Sequence, residues 1–133
     1  MKRYDVSTHA HQELVDVTDR VRRAVQESGV SEGICVVFVP HTTAGVTINE
    51  NADPDVGRDL LTALERAVPW KGDYRHGEGN SAAHVRASLV GSSCHVIVSG
   101  GDLELGTWQG IYFAEFDGPR RRQLWVQVLE RAS

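Results

Sequence analysis

The longest purely apolar stretch of this chain is only six residues long and is rich in β-branched side chains. It reads Ile34-Cys35-Val36-Val37-Phe38-Val39. A continuous apolar run of this length is typical of a β-strand that is buried on both faces. It is far shorter than the roughly 20 residues that a membrane-spanning helix needs. The pattern therefore predicts a globular domain with a buried sheet and no membrane partner.

Length and charge narrow the class of protein further. The chain has 133 residues, of which 41% are hydrophobic, and a formal net charge of −4. This size fits one domain covering residues 1–133. The slight acidity argues against a nucleic-acid partner, because nucleic-acid binders normally carry an excess of basic residues. No apolar signal segment occupies the first twenty residues, and Cys35 and Cys94 are expected to be buried, reduced thiols, so a cytoplasmic location is predicted.

Three short helices are predicted from capping residues and apolar spacing. Their expected N-caps are Thr18, Asp53 and Ser81. Pro54 suits the first position of the second helix, where a backbone N–H would have no partner. In the third helix, Val85 and Leu89 lie one turn apart and are predicted to face the core.

About seven short strands account for most of the remaining chain. They are predicted at residues 4–7, 13–17, 34–39, 46–48, 96–98, 111–116 and 123–129. Several of these strands are joined by tight turns that contain Gly, Pro or Asp, as antiparallel neighbours require. The prediction is an α+β domain with a largely antiparallel sheet.

Residue types that bind ligands or catalyse reactions concentrate in four stretches. These are residues 41–45, 49–54, 76–84 and 106–110. Each stretch lies at the end of a predicted strand or helix, where binding groups are held in place by a rigid scaffold.

Three histidines in these stretches are candidate metal ligands. His41, His76 and His84 together would leave a fourth position open, as catalytic zinc sites require. His84 falls in the first turn of the third predicted helix, where the helix dipole favours a neutral imidazole. The alternatives are a strand-end histidine bonded to backbone, a solvated loop histidine and a histidine that caps its own helix.

Other residues of the four stretches suit a flat, phosphorylated ligand. Thr42 and Thr43 can donate hydrogen bonds to an anion, although an ordinary turn would look the same. Trp108 can stack on an aromatic ring while the Gln109 amide forms hydrogen bonds with the edge of that ring. The alternative is that Trp108 closes one end of the core. The basic run at 120–122 is expected to be a solvated hairpin face without a catalytic role.

Two carboxylates complete the candidate set. Glu50 and Asp53 are three residues apart at a strand-to-helix turn, and both are expected to approach one pocket beside the His41 loop. Asp53 should mainly cap its helix. Glu50 is a candidate acid/base group or ligand contact, and the alternative is a solvated loop glutamate.

The stretches taken together resemble the signature of the YjbQ-like family. The motifs that carry the resemblance are HTTAGVTINENADPDV at 41–56, YRH at 74–76, AHVRASLVG at 83–91, GTWQGIY at 106–112 and EFD at 115–117. They occur in the same order as in the family, and they span nearly the whole chain.

The resemblance implies an α+β protein that assembles as a homotrimer and has a secondary thiamine-phosphate synthase activity. That reaction joins hydroxymethylpyrimidine diphosphate to a thiazole phosphate and releases pyrophosphate. A divalent ion, zinc or else magnesium, would be held by His41, His76 and His84. For this reaction the candidate catalytic residues are Glu50 and Asp53, and the candidate substrate contacts are Thr42, Thr43, Asn51, Asn80, Trp108 and Gln109. The alternative function is a trimeric protein that binds a metal or small ligand without that physiological role.

Overall fold

The computed structural model describes residues 1–133 and contains eight strands and three helices. The strands are β1 Lys2–Ser7, β2 Glu13–Asp16, β3 Gly33–Phe38, β4 Ala44–Glu50, β5 Ser93–Ser99, β6 Asp102–Leu103, β7 Gln109–Glu115 and β8 Arg121–Glu130. The helices are α1 Thr18–Ser28, α2 Pro54–Ala67 and α3 Ser81–Val90. The predicted α+β class is confirmed, and only the two-residue β6 was not predicted.

The strands form two sheets, and every strand pair is antiparallel. One sheet has the order β1-β8-β3-β5-β6, and the other has the order β2-β7-β4. The main core contains the buried faces of both sheets together with the apolar side of α1. Its largest members include Phe113, Ile111 and Leu124, none of which is exposed. None of the helices is long and apolar enough to cross a membrane.

The apolar run that contains β3 is buried on one face only. Cys35 and Val37 are fully buried, as the pattern predicted, whereas Phe38 on the other face is 39% exposed. The prediction of burial on both faces is therefore wrong, because no helix covers the outer face of the five-stranded sheet. Both cysteines are free, and burial raises the pKa of Cys35 to about 12 and that of Cys94 to about 11, so both thiols stay protonated.

A second, smaller core lies between the three-stranded sheet and α3. Ala83 and Ala87 of the helix pack with Ala114 and Phe116, and leucines of α2 close its edge. The predicted inward residues of α3 are wrong: Val85 is 41% exposed and Leu89 is 64% exposed. Small alanine side chains let the helix approach the sheet closely, and this packing decides which face is buried.

The capping predictions are confirmed for one helix out of three. Asp53 caps α2 by accepting a hydrogen bond from the Asp55 N–H at 2.9 Å, and Pro54 is the first helical residue. Helices α1 and α3 start at the predicted caps instead of after them, so their N-caps are Val17 and Asn80. Both helices therefore begin one residue earlier than predicted, and Thr18 and Ser81 are their first helical residues.

Gly45 allows two parts of the chain to meet at the edge of the second sheet. The Val46 N–H donates to the Gly91 carbonyl at 3.0 Å, which ties β4 to the end of α3. A Cβ atom at Gly45 would lie 2.5 Å from that carbonyl oxygen, so only glycine permits this approach. The contact places the β3–β4 loop beside α3, where the polar stretches meet.

Candidate functional site

A polar cavity of about 420 Å³ forms where the β3–β4 loop, the start of α3 and the start of β8 meet. It has no hydrophobic lining residue. The lining residues are Pro40, His41, Thr42, Thr43, His76, Glu78, Asn80, His84, Arg120 and Arg122. An adjoining cavity of about 450 Å³ shares His41, Thr42 and His84 with it and extends along α3 to Ser92. The structure thus brings together six of the predicted site residues.

His41 is a neutral group whose proton position is set by the backbone. Its Nε2 accepts a hydrogen bond from the Gln123 N–H at 2.9 Å. Burial and the positive charge of Arg122 lower the pKa of His41 below its ordinary value, and Glu115 opposes this only in part. In the neutral ring the proton therefore lies on Nδ1, which makes His41 a hydrogen-bond donor at that atom.

His76 and His84 form a pair at the mouth of the cavity. Their ring centroids are 5.3 Å apart and their planes are nearly perpendicular, at 86°. Glu78 lies nearby, with an oxygen 3.9 Å from Nε2 of His76. His84 is half-buried on α3, whereas His76 and Glu78 belong to the exposed loop that precedes the helix.

The histidines only partly fit the metal site that the sequence indicates. No group of three or more His, Cys, Asp or Glu side chains converges closely enough to hold a metal ion. His76 and His84 are neighbours, and both have nitrogens without a hydrogen-bond partner in the protein. A metal bond to Nε2 of His41 would instead require this ring to give up the hydrogen bond from Gln123.

A buried ion pair forms the floor of the cavity. Arg122 is 4% exposed and binds both carboxylate oxygens of Glu115, which is not exposed at all. Its Nη2 also donates to the Thr43 hydroxyl at 2.8 Å. These contacts use Nε and Nη2, so Nη1 is the part of the guanidinium left to face the cavity.

The environment of Glu115 keeps it ionised. Burial alone would raise the pKa of this carboxyl, but hydrogen bonds from Arg122, from the Thr8 hydroxyl and from the Asp117 N–H outweigh burial and hold the pKa below its ordinary value. The pair therefore carries both charges at neutral pH. It fixes the Thr43 side of the loop relative to β7 and β8.

A second cation reaches the cavity from the β7–β8 turn. Arg120 donates to the Asp117 carbonyl at 2.8 Å through Nε and to the Asp117 carboxylate at 2.9 Å through Nη2. The same carboxylate accepts from the Asn80 amide at 2.9 Å. Asp117 thus positions one residue on each side of the cavity.

The sequence prediction that residues 120–122 form a solvated face is wrong for Arg122, whereas Arg120 and Arg121 are exposed as predicted. Arg121 is exposed and pairs with Asp5, as expected of a surface residue. Arg122 instead lies on the same face of β8 as Leu124 and Val126, which are both buried. The two-residue period of a strand was the signal that could have identified it.

The two predicted carboxylates lie at the other end of the same strands. Glu50 pairs with Gln109, whereas Ala44, beside the His41 loop, pairs with Glu115. Six residue steps along β4 separate the two ends by about 20 Å. The expectation that Glu50 and Asp53 approach the His41 pocket within one chain is therefore wrong.

Three predicted substrate contacts accompany Glu50 at this distant end. The Asn51 N–H donates to the Trp108 carbonyl at 2.9 Å, and the Gln109 side chain accepts from the Gly106 N–H at 2.7 Å. Trp108 is 63% exposed and does not close the core. The predicted site residues thus form two groups, one around the cavity and one around Glu50.

Comparisons with known proteins agree with the motifs and the fold. Residues 2–131 match the family described as "UPF0047 protein YjbQ-like". The chain is 51% identical to UPF0047 protein MJ1081 of Methanocaldococcus jannaschii, covering 96% of this chain and 92% of that one. It is 49% identical to UPF0047 protein YugU of Bacillus subtilis, covering 97% of this chain and 98% of that one.

Solved structures extend the agreement to the backbone. An uncharacterized conserved YjbQ/UPF0047-family protein of Clostridium acetobutylicum has a TM-score of 0.96 and 56% identity, covering 97% of this chain and all of that one. A YbjQ-like protein of unknown function from Sulfolobus solfataricus has a TM-score of 0.94 and 36% identity, covering 98% and 96%. With sequence and fold matched over nearly the full length, the chain belongs to the UPF0047 YjbQ-like family.

Proposed function

We propose that the cavity binds the phosphate of a phosphorylated small molecule. The observation that carries this proposal is the pairing of Arg120 and Arg122 with the Thr42–Thr43 loop around a cavity without hydrophobic lining. Guanidinium groups bind phosphate oxygens through charge-assisted hydrogen bonds. Because Arg122 is held by Glu115, it loses little side-chain freedom when it binds an anion.

We further propose a transferase reaction of the thiamine-phosphate synthase type, as the family resemblance implies. Joining hydroxymethylpyrimidine diphosphate to a thiazole phosphate breaks a carbon–oxygen bond and forms a carbon–nitrogen bond. The leaving pyrophosphate takes the electron pair of the broken bond. Arg120 and Arg122 would stabilise its growing negative charge, and Nδ1–H of His41 would donate a further hydrogen bond. The competing proposal is a protein that binds such a ligand without transforming it.

An assay of the purified protein distinguishes these two proposals. The two substrates are supplied together, and the joined product and pyrophosphate are measured in equal amounts if the transferase proposal is correct. Isothermal titration calorimetry with inorganic phosphate is run on the same preparation. Binding without product supports the ligand-binding protein, whereas absence of both contradicts the proposed phosphate site. Complementation of a thiamine auxotroph tests whether the activity suffices in a cell.

We propose that His76 and His84 hold a divalent metal ion, zinc or else magnesium. Two imidazoles at the mouth of the cavity suit zinc in particular, and the ligand or solvent would complete its coordination. When bound, such an ion supplies positive charge for phosphate oxygens. The third predicted ligand, His41, takes part only if its ring releases the Gln123 N–H.

His84→Ala is expected to abolish metal binding, because the single imidazole that remains, on an exposed loop, is a weak site by itself. Elemental analysis of the parent protein should give about one equivalent of metal per chain, since the two imidazoles form one site. His95→Ala is the matched control, as His95 is an exposed histidine on β5. A His84→Ala protein that keeps the metal content of the parent would refute the assignment.

We propose that the protein is a homotrimer whose subunits meet at α2 and α3. The number of subunits follows from the family resemblance. The contact surface is indicated by a groove of about 360 Å³ whose lining is almost entirely hydrophobic. Leu60, Leu64 and Leu89 contribute to it, and α2 has no fully buried residue although it is amphipathic. A second copy of the chain would cover this apolar surface.

Leu89→Glu is expected to convert the trimer into monomers, because it places a charge in the proposed contact. Light scattering at micromolar concentration measures the mass. Leu129→Glu is the control: Leu129 is also an exposed leucine, at 50%, but it lies on the outer face of the five-stranded sheet. A monomeric parent protein would contradict the trimer, and dissociation by Leu129→Glu alone would place the contact on the other face.

In this trimer the Glu50 end of one subunit would close the cavity of the next, and Glu50, Asp53, Asn51, Trp108 and Gln109 would act there. Mixing inactive His84→Ala subunits with inactive Glu50→Gln subunits should then restore part of the synthase activity. Activity unaffected by Glu50→Gln would leave this carboxylate outside the site.

We also propose a cytoplasmic location, which agrees with the two free thiols.

A further inference from the structure

The cavity of about 450 Å³ that adjoins the proposed phosphate cavity is a groove along α3. The two cavities share His41, Thr42 and His84, so they form one continuous space. Beyond these shared residues the α3 groove is lined by Ala44, Ala87, Ser88, Gly91 and Ser92. Its volume lies within the range of roughly 300–1,000 Å³ that ligand pockets have. The space around the phosphate cavity therefore has room for more than a phosphate group.

The charges that line the two parts of this space differ. Arg120, Arg122 and Glu78 line the phosphate cavity, whereas no Lys, Arg, Asp or Glu lines the α3 groove. A charged group that entered the groove would lose part of its hydration without meeting an opposite charge, which is costly. An uncharged group pays much less on leaving water. The groove is therefore suited to a neutral part of a ligand.

Small side chains at exposed positions keep the α3 groove open. Ser88 and Ser92 are exposed, so core packing does not require them to be small. The Ser88 hydroxyl donates to the His84 carbonyl at 2.9 Å, one turn earlier in the same helix. Gly91 has no side chain, and its φ of 101° favours glycine. From His84 to Gly91 the chain advances seven residues, about 10 Å along a helix axis, which is long enough for a ring with a substituent.

We propose that the α3 groove binds the uncharged organic group of a phosphate ester whose phosphate lies in the neighbouring cavity. This inference rests on the proposed phosphate site and adds the chemical class of the group that the phosphate carries. Apolar atoms of that group contact Ala87 and the groove wall, and the hydroxyls of Ser88 and Ser92 are available to its polar atoms. The complete site thus selects phosphate esters of a neutral, ring-sized group.

Three probes test this selectivity by calorimetry at pH 8. Hydrogen phosphate and phenyl phosphate both carry two negative charges there, and only phenyl phosphate has an organic group. The parent protein should bind phenyl phosphate about tenfold more tightly, as burial of about 60 Å² of ring surface implies. The third probe, 4-carboxyphenyl phosphate, adds a negative charge to the same ring. It should lose most of the tenfold gain, because the groove offers no cation to its carboxylate.

Ser88→Phe is expected to lower the affinity for phenyl phosphate to about that for hydrogen phosphate, because the introduced ring occupies the groove itself. The affinity for hydrogen phosphate should stay within about threefold of the parent value. Ser92→Phe is measured in parallel in case the first variant disturbs the fold, and thermal unfolding and light scattering check both. Ser93→Phe is the matched control, since Ser93 is an exposed serine on β5 that lines neither cavity.

The outcomes separate this inference from the proposed function. If the parent protein binds neither hydrogen phosphate nor phenyl phosphate, the phosphate site fails and the inference fails with it. If the parent binds all three probes equally well, the phosphate site stands and the role of the groove is overturned. The same holds if both folded groove variants keep the parent preference for phenyl phosphate.

Discussion

Glu115→Ala is expected to lower the thermal unfolding midpoint by about 10–20 °C, which corresponds to a loss of about 3–5 kcal/mol. The substitution leaves the Arg122 guanidinium buried, at 4% exposure, without its counter-ion. The Thr8 hydroxyl and the Asp117 N–H also lose the acceptor that they share. Calorimetry or circular dichroism measures the shift.

Glu104→Ala is the control for this prediction. Glu104 is an exposed carboxylate that makes no ion pair, so its removal should change stability by no more than about 0.5 kcal/mol. A Glu115→Ala protein that unfolds within about 3 °C of the parent would show that the buried pair contributes little to the fold.

The stability that Glu115 provides should depend on pH. Its pKa in the folded protein is held below the ordinary value, so folding favours the ionised form. The stabilisation is fully present above the carboxyl pKa of about 4.3 in the unfolded chain, and it is lost as the pH falls through the lower pKa of the folded state. The difference in stability between the parent and Glu115→Gln proteins, measured by denaturant unfolding, should therefore shrink as the pH falls below about 4.3.

The double variant Glu115→Leu, Arg122→Met is expected to recover much of the stability, while the synthase activity that we propose falls at least about 100-fold. Replacing both members of a buried ion pair with apolar residues removes the uncompensated charge. It also removes the guanidinium that we propose to hold the phosphate. Unfolding midpoints, turnover and the affinity for inorganic phosphate are measured on one preparation.

Arg121→Met is the control for the double variant, because Arg121 is the neighbouring exposed arginine and pairs only with Asp5. It should retain activity and phosphate affinity within about threefold. A double variant that folds and works at the parent rate would limit Arg122 to a structural role.

Local features were predicted well where the interacting residues are close together in the sequence. The Asp53 cap, the Pro54 start of α2 and the alternating β8 depend on residues within a few positions of each other. The neutral His41 is different, because its state depends on the Gln123 N–H and on Arg122, which are about eighty residues away along the chain.

Helix α3 shows why apolar periodicity alone was insufficient. Val85 and Leu89 are the larger apolar residues, yet the buried face contains Ala82, Ala83 and Arg86. Arg86 is buried because its guanidinium donates twice to the Val68 carbonyl, at 3.0 and 2.8 Å, and once to Gln12. Val68 and Gln12 lie outside α3, so the spacing of apolar residues within the helix does not indicate that Arg86 is buried.

The sequence by itself determined the family, the α+β class, most strand positions and the polar stretches, because each follows from local spacing and residue order. The tertiary structure alone decided which stretches share a site. It placed His41, His76, His84 and Asn80 with two arginines from β8 and the β7–β8 turn, and it put Glu50 at the opposite end of β4. The physical reason is that sheet register and the burial of a charged pair depend on contacts between segments that are far apart in the sequence. The order of residues along one chain does not show which of these segments meet.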